Sequence, residues 1–143
     1  MRWTLLLLAL AACSGSPATY TFPGCEDAGG PDTTCGNNAV FTCAELHLEA
    51  QYSSCTQDSD CAFASVNESC VSTCGGISVR ADSVGVFTDA FSNEAQKFCK
   101  VQQSNGSCGG GQEIGSCFGG CVVPSCVNGA CGTAPSPDGG CGF

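Results

Sequence analysis

Cysteine is the residue type with the widest range of possible chemistry in this sequence, which has 15 cysteines among 143 residues. A cysteine can act as a thiolate nucleophile, bind zinc or copper(I), or be oxidised to a disulfide. Cys70 and Cys74, like Cys117 and Cys121, are separated by three residues, a spacing that could ligate a metal ion. The Cys-x-x-Cys pair typical of a redox active site is absent from the sequence.

Other residues suited to catalysis are few. His47 is the single histidine, so only one imidazole is available as a general base. The sequence has no Gly-x-Ser-x-Gly elbow, no phosphate-binding loop and no His-Glu-x-x-His stretch. We therefore predict that the protein is not an enzyme, that it needs no cofactor, and that His47 is a surface or edge residue.

Two aspartates lie in a polar loop bounded by Cys55 and Cys61. Asp58 and Asp60 could coordinate calcium, but the loop lacks the glycine and the distal glutamate of an EF-hand. Aspartates in loops commonly accept hydrogen bonds from nearby backbone amides. We predict that both side chains stabilise the loop and that they bind no metal.

The first 12 residues have the layout of an export signal. Arg2 supplies a positive charge, residues 5–12 are apolar, and small residues follow. Eight residues make a helix of about 12 Å, far shorter than the hydrocarbon core of about 30 Å. Residues 1–12 are therefore predicted to be a signal peptide and not a spanning helix.

The junction Leu10-Ala11-Ala12-Cys13-Ser14 resembles the lipobox of bacterial lipoproteins. The resemblance implies that a diacylglyceryl group is attached to the Cys13 sulfur, that cleavage precedes Cys13, and that its new amine is acylated. The alternative is an ordinary cleavable signal, cut near Ala9-Leu10-Ala11. Cysteine parity favours lipidation, because 14 cysteines remain without Cys13 and these could all pair. We predict a membrane anchor at Cys13.

The mature chain of 131 residues combines many cysteines with few large apolar residues. Leu, Ile, Val and Phe total only 22, so the apolar core must be small, and a scaffold of disulfides would compensate for it. Disulfides also suit an exported protein better than thiolate–metal sites do. The predicted disulfide cysteines are Cys25, Cys35, Cys43, Cys55, Cys61, Cys70, Cys74, Cys99, Cys108, Cys117, Cys121, Cys126, Cys131 and Cys141. Spacing alone leaves their pairing open.

The net charge argues against binding to nucleic acid and to anionic lipid headgroups. Without Arg2, three basic and 13 acidic residues give the mature chain a formal charge of about −10. Nucleic acid binding requires clustered Lys and Arg, and so does polybasic binding to anionic lipid headgroups. The predicted partners are the membrane, through the lipid anchor, and an unknown protein or cell-surface component.

Residue patterns predict two helices, at about 43–54 and 88–102. Residues 45–52 alternate polar and apolar as a strand would, but Phe41, Ala44, Leu48, Tyr52 and Cys55 also share one helical stripe. Thr42 and Glu45 could form a capping box there. The second helix should bury one face and be capped at Thr88 or Ser92. That face consists of Phe91, Ala95, Phe98, Cys99 and Gln102.

Short strands are predicted at 62–66 and 77–80, with a turn at 67–69 between the first of them and Cys70. The Asn128-Gly129 pair predicts a type I′ turn in a hairpin at about 121–133. These elements indicate a small disulfide-rich α+β fold with short antiparallel strands. The predicted organisation is a signal peptide (1–12), a lipidated N-terminus with a flexible tether (13–24), a cysteine-rich domain (25–131) and a Gly/Pro-rich tail (132–143).

This order of elements is similar to that of a group of uncharacterised bacterial cysteine-rich lipoproteins. The resemblance covers residues 44–131, and its most recognisable parts are the loop 55–61 and the terminal Cys126-Val127-Asn128-Gly129-Ala130-Cys131. This second resemblance implies no activity. The lipobox implies a location in the bacterial cell envelope, outside the cytoplasm, and we predict the outer membrane or cell surface rather than the inner membrane.

Three functions are compatible with these observations. The first is a non-catalytic binding or structural domain displayed on a membrane anchor. The second is an inhibitor of proteases or other hydrolases, since cysteine-bounded loops suit that role. The third is a thiol–metal protein, which would require free thiolates.

Overall fold

The computed structural model describes residues 19–28, 39–68, 70–73, 76–104, 112–114 and 121–137. It has the predicted disulfide-rich α+β fold, with two helices and several short strands among these residues. The elements are α1 (Ala39–Tyr52), β1 (Cys61–Ala64), β2 (Asn67–Glu68), β3 (Val71–Thr73), β4 (Ile77–Arg80), α2 (Val84–Ser104), β5 (Gln112–Ile114), β6 (Val122–Val127) and β7 (Ala130–Pro135).

The two helices pack antiparallel through aromatic side chains. Phe41, near the start of α1, stacks on Phe98 near the end of α2, with 4.9 Å between ring centroids. At the other end of the pair, Tyr52 contacts Phe87 edge-on at 5.9 Å. Phe91 lies between these contacts, 5.7 Å from Phe41. The predicted apolar faces of both helices are therefore confirmed as the core of the domain.

Both helices begin earlier than predicted. Phe41 and Phe87, each one residue before a suggested cap, are almost fully buried, and the helices already start at Ala39 and Val84. Thr42 consequently lies within α1, and Thr88 and Ser92 lie within α2. The predicted caps at these three residues are wrong, because burial of a phenylalanine in the first turn outweighs the local capping preference.

The strands form three small sheets. β1 pairs antiparallel with β4, from Cys61 opposite Arg80 to Ala64 opposite Ile77. β2 pairs antiparallel with β3, so Asn67 and Glu68 form a short strand where a turn was predicted. β3 also pairs parallel with β5, a long-range pairing that local alternation does not predict. Ala64 and Val79, both fully buried, connect the β1–β4 sheet to the helical core.

A glycine makes the connection into β4 possible. Gly76 has a φ of +90°, and a β-carbon there would lie only 2.8 Å from the Ala64 carbonyl oxygen. Any other residue would therefore combine backbone strain with a clash against β1.

The hairpin β6–β7 has the predicted turn but extends further. Asn128 and Gly129 have φ values of 54° and 83°, as a type I′ turn requires, so this prediction is confirmed. β7 continues to Pro135. Residues 134 and 135, beyond the predicted end of the hairpin, are therefore also paired with β6, and the predicted Gly/Pro-rich tail (132–143) begins within this strand.

The residues before Cys25 are attached to the core. Tyr20 and Phe22 lie in the segment predicted to be a flexible tether, but both pack against the core cluster. Tyr20 contacts the rings of Phe41 and Phe98, with centroids 5.9 Å and 5.6 Å away. The tether prediction is wrong for these residues, because two aromatic rings in a polar segment provide apolar area to bury.

Four disulfides cross-link these elements among the described residues. They are Cys25–Cys43, Cys55–Cys126, Cys61–Cys131 and Cys70–Cys99. So many disulfides indicate that the protein folds in an oxidising, extracytoplasmic environment. None of the helices in the described part of the chain combines the length and the apolar character needed to cross a bilayer.

Candidate functional site

Two disulfides converge on one end of the hairpin. Cys126 and Cys131 are directly opposite each other in the β6–β7 register. Cys126 is bonded to Cys55 and Cys131 to Cys61, so both ends of the loop 55–61 are attached to adjacent strands. The sulfur atoms of Cys55, Cys61 and Cys131 lie within 4.8 Å of one another. We call the loop 55–61 together with β6 and β7 the cross-linked hairpin.

Backbone hydrogen bonds reinforce the same attachment. The Cys55 amide donates to the Gly129 carbonyl at 3.1 Å, and the Cys131 amide donates to the Ser53 carbonyl. Ser54 forms an isolated antiparallel bridge with Ala130. The residues that follow α1 are therefore held beside β7, close to the turn.

The tip of the cross-linked hairpin is exposed although its base is fixed. Val127, Asn128, Gly129 and Ala130 are all exposed, and 46% of the Val127 surface is accessible. A β-carbon on Gly129 would meet nothing within 4 Å. The tip therefore projects from the domain and could contact a partner without rearrangement of its base.

Local hydrogen bonding, predicted for both loop aspartates, is confirmed for Asp60 but not for Asp58, which bonds to a distant strand. Asp60 accepts hydrogen bonds at 2.8 Å from both the amide and the hydroxyl of Thr56, and others from Gln57. Asp58 reaches across to β6 and accepts 2.8 Å hydrogen bonds from the Ser125 hydroxyl and the Cys126 amide. Nothing in the sequence predicts the hydrogen bonds of Asp58, because Ser125 and Cys126 follow it in the chain by 67 and 68 positions.

These hydrogen bonds determine the protonation of both aspartates. The Cys126 amide and the Ser125 hydroxyl lower the pKa of Asp58, and hydrogen bonds from Thr56 and Gln57 lower the pKa of Asp60 to about 2. Both carboxylates are therefore charged at neutral pH, and each is held in place by donors from the protein itself. The arrangement favours a rigid contact surface over a reactive centre.

Asp58→Ala is expected to loosen the loop 55–61 from β6 while both disulfides remain. Loss of the acceptor leaves the Cys126 amide without its partner, so hydrogen exchange at this amide should accelerate many-fold. Exchange at the Val79 amide, in the buried sheet, provides the internal reference. Asp58→Asn keeps one acceptor oxygen and should give an intermediate rate. Unchanged exchange at Cys126 in the alanine variant would show that the disulfides alone fix the loop.

The histidine lies in a second cluster near the N-terminal segment. His47 is exposed, as predicted, and its ring lies 6.1 Å from that of Phe22. Its ligating nitrogen and the sulfur atoms of Cys25 and Cys43 lie within 4.8 Å of one another. The two sulfurs are joined to each other in a disulfide, so neither offers a thiolate to a metal or acts as a nucleophile.

Two glutamates on α1 form an unusual carboxylate pair. Burial, together with a smaller contribution from the nearby Glu49 carboxylate, raises the pKa of Glu45 to about 7. Burial also raises the pKa of Glu49. Both residues are half-buried on one helix, separated by four positions, which places them on the same face. A folded-state pKa above the unfolded value means that ionisation of Glu45 opposes folding.

Glu45→Gln is expected to flatten the pH dependence of stability. The wild-type free energy of unfolding should fall as pH rises from about 4.5 to 7, since Glu45 becomes charged over this range. The variant should be more stable than wild type at pH 8 and similar to it at pH 4. Denaturant unfolding at both pH values provides the measurement. Asp89→Asn removes an exposed charge from α2 and therefore controls for net charge. It should leave the pH dependence of the free energy of unfolding unchanged.

Nine of the predicted scaffold cysteines lie among the described residues, and all nine are disulfide-bonded. Cys70 pairs with Cys99 on α2 and not with a cysteine of its own Cys-x3-Cys segment. Cys121, in the other such segment, is also oxidised. The predicted site residues that lie outside the described residues are Cys13, Cys35, Cys74, Cys108, Cys117 and Cys141.

Comparison with known proteins gives no relative. No protein-family model matches the chain, and neither a curated protein nor a solved structure matches it. Function must therefore be argued from the chain itself.

Proposed function

We propose that this chain is a bacterial lipoprotein, anchored through Cys13, whose non-catalytic extracytoplasmic domain presents the cross-linked hairpin to a protein or cell-surface partner. The observation that carries the proposal is the convergence of Cys55–Cys126 and Cys61–Cys131 beneath an exposed turn. A tip held in one conformation loses little entropy on binding, which favours affinity. The lipobox resemblance supports the anchor, and the proposal places it at the outer membrane or cell surface rather than at the inner membrane.

The chemistry of the described residues supports binding over catalysis. The hydrogen bonds to Asp58 and Asp60 come from the loop and from β6, and His47 is exposed next to a disulfide. The described cysteines are oxidised and offer no thiolate, which argues against the thiol–metal alternative. Among the described residues, His47 has no hydrogen bond to a hydroxyl or thiol group, so it forms no pair of base and nucleophile.

Intact-mass analysis of the unreduced mature protein tests the anchor. We expect a chain beginning at Cys13 that carries acyl groups and partitions with membranes. Cys13→Ser should abolish the acyl mass and release the protein from the membrane fraction, whereas Ser14→Ala, the adjacent control, should remain attached. A mature chain beginning at residue 12 or 14, or an unmodified Cys13, would refute lipidation.

Site-specific cross-linking tests the hairpin as the contact surface. A photoreactive residue at Asn128 should give a discrete adduct on intact cells, whereas one at the exposed Asp89 of α2 should not. The adduct should disappear in the Val127→Asp background, which changes the exposed tip. Equal labelling from both positions would contradict the assignment of the hairpin.

An inhibitor is the second candidate, favoured by the same exposed and cross-linked tip. A panel of serine, cysteine and metalloproteases separates the two functions. Stoichiometric inhibition that is lost in Val127→Asp would favour the inhibitor, while cross-linking without inhibition would favour the binding module.

A further inference from the structure

We propose that the two disulfides of the cross-linked hairpin form a thiol-exchange site, at which a small thiol converts Cys55–Cys126 and Cys61–Cys131 into Cys55–Cys61 and Cys126–Cys131. Two links between distant segments are thereby replaced by two local links, one within the loop 55–61 and one between β6 and β7. The exchange chemistry is independent of the proposed function, and only its effect on partner binding rests on that function.

The sulfur atoms of the two disulfides lie close to one another. Those of Cys55, Cys61 and Cys131 are all within 4.8 Å of one another, and that of Cys126 is bonded to Cys55. A thiolate attacks a disulfide sulfur through a mixed-disulfide intermediate, so exchange requires the sulfurs to approach each other. A thiolate released at Cys55 has both sulfurs of the second disulfide nearby, and side-chain rotation covers the remaining distance.

The register of the hairpin places Cys126 and Cys131 in the geometry of a cross-strand disulfide. They are directly opposite each other, so their side chains lie on the same face. The Cys126 amide donates to Asp58 and the Cys131 amide donates to the Ser53 carbonyl, so both amides point away from the opposite strand. The α-carbons of such a non-hydrogen-bonded pair are about 4.5 Å apart, a separation that a disulfide can bridge. The two strands therefore accept this disulfide without moving.

Hydrogen bonds within the loop bring its two ends together independently of the hairpin strands. The Asp60 side chain accepts hydrogen bonds at 2.8 Å from the amide and the hydroxyl of Thr56. Thr56 directly follows Cys55, and Asp60 directly precedes Cys61, so these hydrogen bonds close the loop next to the two cysteines. A Cys55–Cys61 disulfide would therefore join two ends that are already held near each other.

Exposure selects the disulfide that an external thiol attacks first. Cys55 and Cys126 are both half-buried, whereas Cys61 is buried. Both cysteines of the Cys70–Cys99 disulfide are also buried. Since the rate of thiol–disulfide exchange depends on access to the sulfur, a small thiolate reacts first with Cys55–Cys126.

The exchange takes three steps and consumes neither an oxidant nor a reductant. The external thiolate bonds to the Cys126 sulfur and breaks its bond to Cys55, which leaves as a thiolate. The Cys55 thiolate then bonds to Cys61 and breaks the Cys61–Cys131 bond. The Cys131 thiolate finally attacks the mixed disulfide at Cys126, forms Cys126–Cys131 and releases the external thiolate with its electron pair. Initial attack at Cys55 gives the same products, with Cys126 and then Cys61 as the intermediate thiolates.

The exchange changes how the exposed tip is held. The loop 55–61 is then attached to the hairpin by hydrogen bonds, such as those from the Cys126 amide to Asp58 and from the Cys55 amide to the Gly129 carbonyl. A tip with more freedom must be ordered again when it binds, which lowers affinity. The concentration of small thiols outside the cell would thereby regulate binding of the partner.

Peptide mapping of the thiol-treated protein tests the exchange. The oxidised full chain is incubated with 2-mercaptoethanol at a concentration that leaves the buried Cys70–Cys99 disulfide intact. Acid then stops the reaction by protonating thiolates, and pepsin digests the unreduced protein. We expect Cys55–Cys61 and Cys126–Cys131 to appear together, and neither to be found without thiol. Cys61→Ser/Cys131→Ser, which removes the second disulfide, should stop at the mixed disulfide.

Alanine variants of the two loop aspartates provide a matched comparison. Asp60→Ala removes the hydrogen bonds that close the loop and should slow formation of Cys55–Cys61 by about fivefold, which corresponds to the loss of one hydrogen bond. Asp58→Ala frees the loop from β6 and should not slow it. Equal slowing by both variants would contradict closure by Asp60.

Two results of the peptide mapping would overturn the exchange site. One is a Cys55–Cys126 disulfide that resists the thiol, or opens without formation of the two local disulfides. The other is a product that contains Cys55–Cys131 and Cys61–Cys126, since the loop and the hairpin would then stay linked. Neither result bears on the lipid anchor or on cross-linking from Asn128, so the proposed function would stand or fall separately.

Discussion

Reduction of the protein by excess dithiol in native buffer is expected to unfold the domain. Each disulfide typically stabilises a small domain by about 2–4 kcal/mol, and the net stability of a domain is about 5–15 kcal/mol. The four disulfides of the described residues therefore account for a stabilisation comparable with the whole. The circular dichroism of α1 and α2 and the slow exchange of their amides should both be lost.

The matched control is the same incubation with the oxidised form of the dithiol, which should leave the signals unchanged. A graded version removes one cross-link at a time. Cys70→Ala/Cys99→Ala should cost about 3 kcal/mol, because this disulfide closes a loop of 29 residues between two buried positions. Survival of helical dichroism and exchange protection after full reduction would show that the apolar core is sufficient by itself.

Phe41→Ala is expected to lower the free energy of unfolding by about 3–5 kcal/mol. Phe41 is 1% exposed, and its ring contacts those of Tyr20, Phe91 and Phe98. Its removal leaves a cavity between the start of α1 and the end of α2 and also deprives Tyr20 of one of its two ring partners. Denaturant unfolding of the oxidised protein measures the loss of stability.

Leu46→Ala is the control on the same helix, since Leu46 is 61% exposed. Its effect should remain within about 0.5 kcal/mol. A loss at Phe41 no larger than the loss at Leu46 would mean that the disulfides, rather than the aromatic core, determine the stability of the helix pair. Faster exchange at the Cys25 amide in Phe41→Ala would additionally report release of the N-terminal segment.

Local patterns were sufficient to predict the parts of the fold that depend on neighbouring residues. The spacing of Phe91, Ala95 and Phe98 identifies the buried face of α2, because residues three and four apart share a helical face. The Asn128-Gly129 pair specifies its own turn, because few other dipeptides tolerate two positive φ angles. Asp60 likewise accepts its hydrogen bonds from residues three and four positions before it, as expected of a short acidic side chain.

Long-range features were beyond the same reasoning. The pairing of Cys55 with Cys126 depends on how α1 packs against the hairpin. The spacing of cysteines in the sequence does not predict that packing. The parallel contact of β3 with β5 joins residues about 40 positions apart and has no periodic signature. The hydrogen bonds of Asp58 could not be predicted from the sequence either, because their donors belong to the distant strand β6. Tyr20 did carry a signal, since an aromatic residue is unusual in a flexible tether.

The Cys55–Cys126 and Cys61–Cys131 disulfides also affect what proteolysis can do to this protein. Each joins residues about 70 positions apart in the chain, and both enclose everything from Cys61 to Cys126. A protease that cuts once between those two residues therefore cannot separate the pieces, because two covalent links still hold them together. A protein displayed among extracellular proteases would thus keep its hairpin attached to the rest of the chain after such a cut.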